Sequence, residues 1–187
     1  MDLTKDPHFL AHEYMHSWIP NQVGGLPLQD EARDYWFSEG FTEFYASRAL
    51  LASGIWSLED FVARYNEVLT RYAGSPARNF TADQVMAEFW TNPDAQQSPY
   101  DRGRLLALRW DRAVRVASAG KLSLDDVLRR QRDAVRAGPK AAGARLEPGV
   151  FGACLTLGSK SVPRRTGRGG RCGRRFRPRP IRTTTPW

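Results

Sequence analysis

A chain of 187 residues with 41% hydrophobic residues, six Trp and nine Phe can bury one core, and it has no run of about 18 apolar residues that would cross a membrane. Its formal net charge of +8 is unevenly placed: residues 148–187 hold ten Lys or Arg and no acid, whereas 1–147 hold 18 basic and 20 acidic residues. The body is therefore near neutral, which excludes reading the overall basicity as a nucleic-acid surface on the folded part.

The opening residues 1–7 are polar and lack the apolar stretch of a signal peptide. Residues 7–18 read as a first helix, with Pro7 in the first turn, where a missing N–H costs nothing. Pro20 and the pair Gly24-Gly25 mark its end, and 19–33 read as a loop. A second helix is predicted over 34–52, with Trp36, Phe37, Phe41, Phe44 and Tyr45 as its apolar side and Gly54 as its stop. Ser57 caps a third helix to Gly74, with acids in its first turn and Arg71 in its last. Thr81 and Gln84 make a capping-box pattern ahead of a short helix to about Trp90.

Residues 91–98 read as a loop, and Pro99 as the opening of a long helix to about Ala119. Ser123 caps a further helix ending at Gly138. Residues 139–149 are rich in Ala, Gly and Pro, and 150–156 read as a short helical piece. There is no strand pattern and no internal repeat, so the fold class is mainly α.

From 158 onward periodicity ends and Arg, Gly and Pro dominate, giving two predicted regions: a helical domain over 1–157 and a basic disordered tail over 158–187. The tail's composition fits out-of-frame reading of a GC-rich gene better than a selected anionic-surface tail. Cys154 and Cys172 are too few for a disulfide framework and lack the CxxC spacing of a zinc clip.

The chemistry centres on HEYMH at 12–16. On a helix, His12 and His16 lie one turn apart on one face, with Cβ atoms roughly 6 Å apart, so both imidazoles can bind one Zn²⁺. Glu13 points beside the metal, where it can take a proton from bound water. A catalytic zinc needs a third protein ligand. Ile19 and Gln22 stand where HExxHxxGxxH requires Gly and His, so that pattern fails. The remaining source is a carboxylate of the next helix. WFSEGFTEFYA offers Glu39 amid aromatic residues, where an acid is costly unless paired or metal-bound; the alternative is a solvated position on a polar face. Glu43, one turn on, is either an acceptor for the free N–H of His12 or His16 or a solvent-facing acid. His8 continues the four-residue steps but sits a turn too far from a metal held by His12 and His16.

HEYMHSW and WFSEGFTEFYASR together resemble the glycyl aminopeptidase family of zinc metallopeptidases, gluzincins related to the alanyl aminopeptidase group. The broader group places its Glu sooner after HExxH; the 22 residues between His16 and Glu39, with SEGF in place of NEGF, look more like the glycyl aminopeptidases. SPYDRGRLLALRWD at 98–111 resembles the Tyr-x-Lys/Arg-Gly segment of that group, which implies Tyr100 as the phenol that hydrogen-bonds the oxyanion. The resemblance covers about 8–137. It implies a thermolysin-like, zincin-like helical catalytic lobe, a Zn²⁺ cofactor on His12, His16 and Glu39, and a peptide substrate. It also implies an upstream β-rich region that this chain does not include, so the chain is expected to be a fragment. The expected activity is zinc-dependent peptide hydrolysis, probed against the alternative of an inactive zinc-binding remnant. A nucleic-acid-binding role through the tail ranks last, and no membrane insertion is expected.

Overall fold

In a computed structural model, which describes residues 6–24 and 31–137, six α-helices build the fold, with no strand among the described residues. They are α1 (Pro7–Met15), α2 (Tyr35–Ala52), α3 (Leu58–Gly74), α4 (Ala82–Glu88), α5 (Pro93–Ala117) and α6 (Leu124–Ala137), with 3₁₀ turns at Glu31–Arg33 and Pro76–Asn79. The mainly helical class expected from the sequence is the one observed. The predicted boundary at 157/158, the helical piece at 150–156 and both cysteines lie outside the described residues. No helix among the described residues is long and apolar enough to cross a membrane.

Local sequence sets most helix starts. Asp6 caps α1 by accepting from the Phe9 N–H at 3.0 Å, with Pro7 at the first helical position. Ser57 and Asp60 form a reciprocal capping box at α3, and Thr81 and Gln84 another at α4. Asp126 accepts from the Ser123 N–H at 2.8 Å at the start of α6. Gly54, at φ 75°, ends α2 in a conformation that a side chain would strain.

Three boundaries differ from the sequence expectation. The first helix ends at Met15 rather than Trp18, and turns continue to Val23. α4 ends at Glu88 rather than Trp90. The predicted loop at 91–98 is helix: α5 starts at Pro93 and runs through Pro99. Asn92 is the reason, since its side-chain oxygen accepts from the N–H groups of Asp94 and Ala95 at 3.0 and 3.4 Å. Pro99 withholds only one N–H from the helix, and it is buried along with Ser98 by tertiary packing.

α2 is the central helix. Phe37, Phe41, Phe44 and Leu50 are buried, and so are the small polar residues Ser38, Thr42 and Ser47. Thr42 and Ser47 return their hydroxyls to carbonyls one turn back, Ser38 at 2.5 Å and Glu43 at 2.8 Å, so neither is left unsatisfied. The main core joins Phe37, Phe41 and Phe44 to Ile19, Val23, Tyr65, Leu124 and Leu128. A second cluster packs Val85 of α4 and Phe89, the residue just after it, against Tyr35 and Tyr100.

The crossing of α2 with α5 decides where the polar residues go. A Cβ built on Gly40 would lie 2.4 Å from Gly103 Cα, and one on Gly103 would lie 1.8 Å from the Trp36 carbonyl oxygen. Only two glycines let the backbones approach this closely. Residues flanking the crossing, Glu39 and Glu43 on α2 and Arg104 on α5, are thereby drawn together.

Candidate metal centre

α1 lays its HEYMH face across α2. His12 Nε2 lies 3.1 Å from Glu39 Oε2 and 3.1 Å from His16 Nε2, and His16 Nε2 lies 3.5 Å from the same Glu39 oxygen. Three ligand atoms thus form a nearly equilateral triangle. Two such atoms bonded tetrahedrally to zinc at about 2.0–2.1 Å would be roughly 3.3 Å apart, which is the spacing seen.

Without a cation, one proton on His12 Nε2 can serve both Glu39 and a lone pair on His16 Nε2. A cation between the three atoms would instead be met by a lone pair from every one of them. The outer nitrogens fit that arrangement. His16 Nδ1 is 3.1 Å from the Ile19 carbonyl oxygen, and His12 Nδ1 is 3.1 Å from Glu43 Oε1. The second contact is within hydrogen-bond distance but is not aligned as a hydrogen bond. A carbonyl and a carboxylate are the usual acceptors behind metal-binding histidines.

Electrostatics of the metal-free site follow from the same contacts. Burial alone would push the His12 pKa down, but contacts with Glu39 and Glu43 lift it to about 9. Hydrogen bonding to Glu39 is the main cause raising His16. Burial would raise Glu39, yet the two imidazoles bring it down to about 2. Glu43 is likewise held well below the usual carboxylate range, burial being outweighed by His12, His8 and Arg104.

Beside the triangle a polar cleft of about 350 Å³ is lined by His12, Glu13, Glu43, Arg64, Gln97 and Tyr100, among others. Glu13 is exposed and takes no part in the triangle. Tyr100 is half-buried and stacks on His12, ring centroids 6.2 Å apart. Burial, followed by the charge of Glu39, raises its pKa, so the phenol stays protonated at neutral pH. An apolar groove of about 310 Å³ beyond the other end of α1, between Met15, Trp18 and Leu128, holds none of these groups.

The structure therefore brings His12, His16 and Glu39 together and sets Glu13 and Tyr100 on the adjoining cleft. Glu43 faces inward, with side-chain exposure of 15%, so the solvent-facing alternative does not hold. His8 stays out of the triangle: it stacks on Trp56 at 5.3 Å and meets Glu43 Oε2 at 3.2 Å. Sequence reasoning missed Arg104. It is 1% exposed and places Nη1 2.8 Å from Glu43 Oε2. The glycine next to it was the available signal, since Gly40 and Gly103 each adjoin a charged residue of the site.

Two imidazoles one helical turn apart with a carboxylate from the next helix make a group that can hold a metal, of the kind metallopeptidases use. The model of the M61 glycyl aminopeptidase family matches residues 6–106, and the chain belongs to that family of peptidases. No curated protein matches it.

Proposed function

We propose that this chain is the helical catalytic part of a zinc-dependent peptidase of aminopeptidase type. The observation that carries the proposal is the triangle of His12 Nε2, His16 Nε2 and Glu39 Oε2, spaced 3.1, 3.1 and 3.5 Å. These three residues would hold the ion. When bound, zinc supplies Lewis acidity that polarises a peptide carbonyl and makes water more acidic.

The chain's own residues carry the protons. Glu13 is exposed on the cleft and outside the ligand set. It takes a proton from the attacking water as the new C–O bond forms, and delivers it to the amide nitrogen as the C–N bond breaks. Tyr100 keeps its phenolic proton and donates a hydrogen bond to the oxygen that becomes negative in the tetrahedral intermediate. A peptide is the substrate; the aminopeptidase assignment rests on the family.

Metal content tests the ligand set. The folded chain is expected to hold about one equivalent of zinc, lost in His12→Ala, His16→Ala or Glu39→Ala and kept in His8→Ala. Glu39→Ala keeping its zinc while Glu43→Ala loses it would transfer the third position to Glu43. Zinc binding with no cleavage of any peptide would reduce the chain to a metal-binding remnant.

A further inference from the structure

We infer that Arg104 is a positioning residue for the ligand His12, acting through Glu43. The inference rests on the zinc reading of the site. Arg104 lies on α5, immediately after the glycine at the crossing, and is 1% exposed. A buried guanidinium is unfavourable unless its charge is met, and a Leu or Met would fill the same space without that cost. Packing alone therefore does not explain an arginine here.

Its contacts point to the site. Nη1 forms an ion pair with Glu43 Oε2 at 2.8 Å. Nη2 donates to Ser47 Oγ and lies 3.4 Å from His8 Nε2, while the guanidinium stacks over the Tyr65 ring at 5.1 Å. These contacts fix the guanidinium from several sides, and it fixes one oxygen of Glu43. The other oxygen, Oε1, is left 3.1 Å from His12 Nδ1.

That oxygen matters because of the imidazole's tautomers. His12 can present a lone pair at Nε2 only with its proton on Nδ1, and a buried Nδ1–H needs an acceptor. No other partner is found at that nitrogen. Anchoring Oε2 on Arg104 keeps Oε1 beside Nδ1 and keeps the ring turned toward Glu39 and His16. Without Arg104 the carboxylate loses its counter-ion and can swing toward His8, whose Nε2 is 3.2 Å from Oε2.

A competing effect has the opposite sign. Arg104 is a cation near a proposed cation site, so simple repulsion predicts tighter zinc binding once it is removed. Positioning predicts weaker binding.

The experiment measures zinc affinity by chelator competition in the full chain, with unfolding monitored in parallel. Arg104→Met is expected to weaken zinc binding by about 10–100-fold, the range for losing a partner behind a metal ligand. Arg104→Lys, which keeps the charge, should recover most of the loss. In a Glu43→Gln background, Arg104→Met should have no further effect on affinity, because the route to His12 is already cut. This double variant also removes the uncompensated buried carboxylate, so it remains measurable if Arg104→Met alone does not fold. Unchanged or tighter binding in Arg104→Met overturns the inference. So does an equal loss in the Glu43→Gln background, which would make Arg104 a structural residue only. Wild-type chain that binds no zinc removes the zinc reading and the inference together, whereas wild-type binding with indifferent Arg104 variants removes the inference alone.

Discussion

Replacing Gly103 with Ala tests whether the α2–α5 crossing both holds the fold and builds the site. The added Cβ would stand 1.8 Å from the Trp36 carbonyl oxygen and 2.8 Å from Gly40 Cα. Both are backbone atoms, so no side chain can turn aside. Restoring ordinary contact requires the helices to part by roughly 1.5 Å in an interior packed like an organic crystal. Overpacking a core costs typically 1–3 kcal/mol, and a clash with backbone belongs at the upper end, so about 3 kcal/mol is expected. That is a fall of about 10 °C in Tm for a domain of this size. Gly74→Ala in α3 is the control, since its Cβ would meet nothing within 4 Å. It should be neutral or stabilise by up to about 1 kcal/mol through helix propensity. Thermal unfolding of both variants, followed by circular dichroism, measures the contrast. Parting the helices also draws Arg104 from Glu43, so zinc affinity should fall in the Gly103→Ala protein that remains folded. A Gly103→Ala Tm within 2 °C or so of wild type would refute the close crossing on which the site geometry depends.

Glu13→Gln should retain zinc and abolish hydrolysis, and Tyr100→Phe should retain zinc and lower the rate by roughly 10²–10³; assays of metal content beside turnover separate these effects, and an unchanged Tyr100→Phe rate gives the oxyanion role to another donor. Zinc affinity should rise with pH between pH 7 and 9 by at least about one log unit per unit, because His12 at about 9 must give up its proton, His16, which is also raised, adds to the slope wherever it is still protonated, and Glu39 at about 2 is already ionised. Calorimetry in buffers of different ionisation enthalpy counts that proton, and a flat profile would contradict it. Asp125 accepts from Tyr45 at 2.9 Å and from Arg48 at 2.7 Å, bonds that outweigh burial and depress its pKa. Its folded value lies below the unfolded one, so its contribution is complete above about pH 4 and is lost as pH falls through the folded value. Asp125→Asn should therefore lower urea stability at neutral pH and converge with wild type in acid; a gap that persists in acid would show that charge is not the cause.

What the sequence showed was what is local in the chain. The capping residues at 57 and 81, the helix stop at Gly54 and the one-turn spacing of His12 and His16 each depend on neighbours within about four residues. Asn92 is equally local, as an N-cap ahead of a proline, but two prolines, Pro93 and Pro99, compete for the helix start. Pro99 sits inside α5 because burial of that stretch outweighs one missing hydrogen bond, a tertiary effect that propensity does not contain. Glu39 was legible as an acid among aromatic residues. The direction of Glu43 was not, because it depends on how closely α5 passes. Arg104 lies 61 residues from Glu43 in the chain, and the one local sign of its burial is the adjoining Gly103, whose meaning depends on a crossing that the sequence does not show.

The four-residue steps of α1 and α2 explain why one group that can hold a metal is found among the described residues. His16, at the C-cap of α1, and His12 and His8 within it descend one face while Glu39, Glu43 and Ser47 ascend one face of α2, so the two series meet in antiparallel register. Glu39 meets His16 and His12; Glu43 meets His12 and His8; Ser47 meets neither but bonds Arg104. By ligand type alone, His12, His8 and Glu43 could frame a second metal one turn further along. The guanidinium of Arg104 already stands there, 2.8 Å from Glu43 and 3.4 Å from His8. A fixed cation at the second level leaves only the first with converging lone pairs and room for an ion. The register of the two helices supplies the repeated pairs, and the pair of glycines at the crossing, by admitting Arg104, selects which of them is available to a metal.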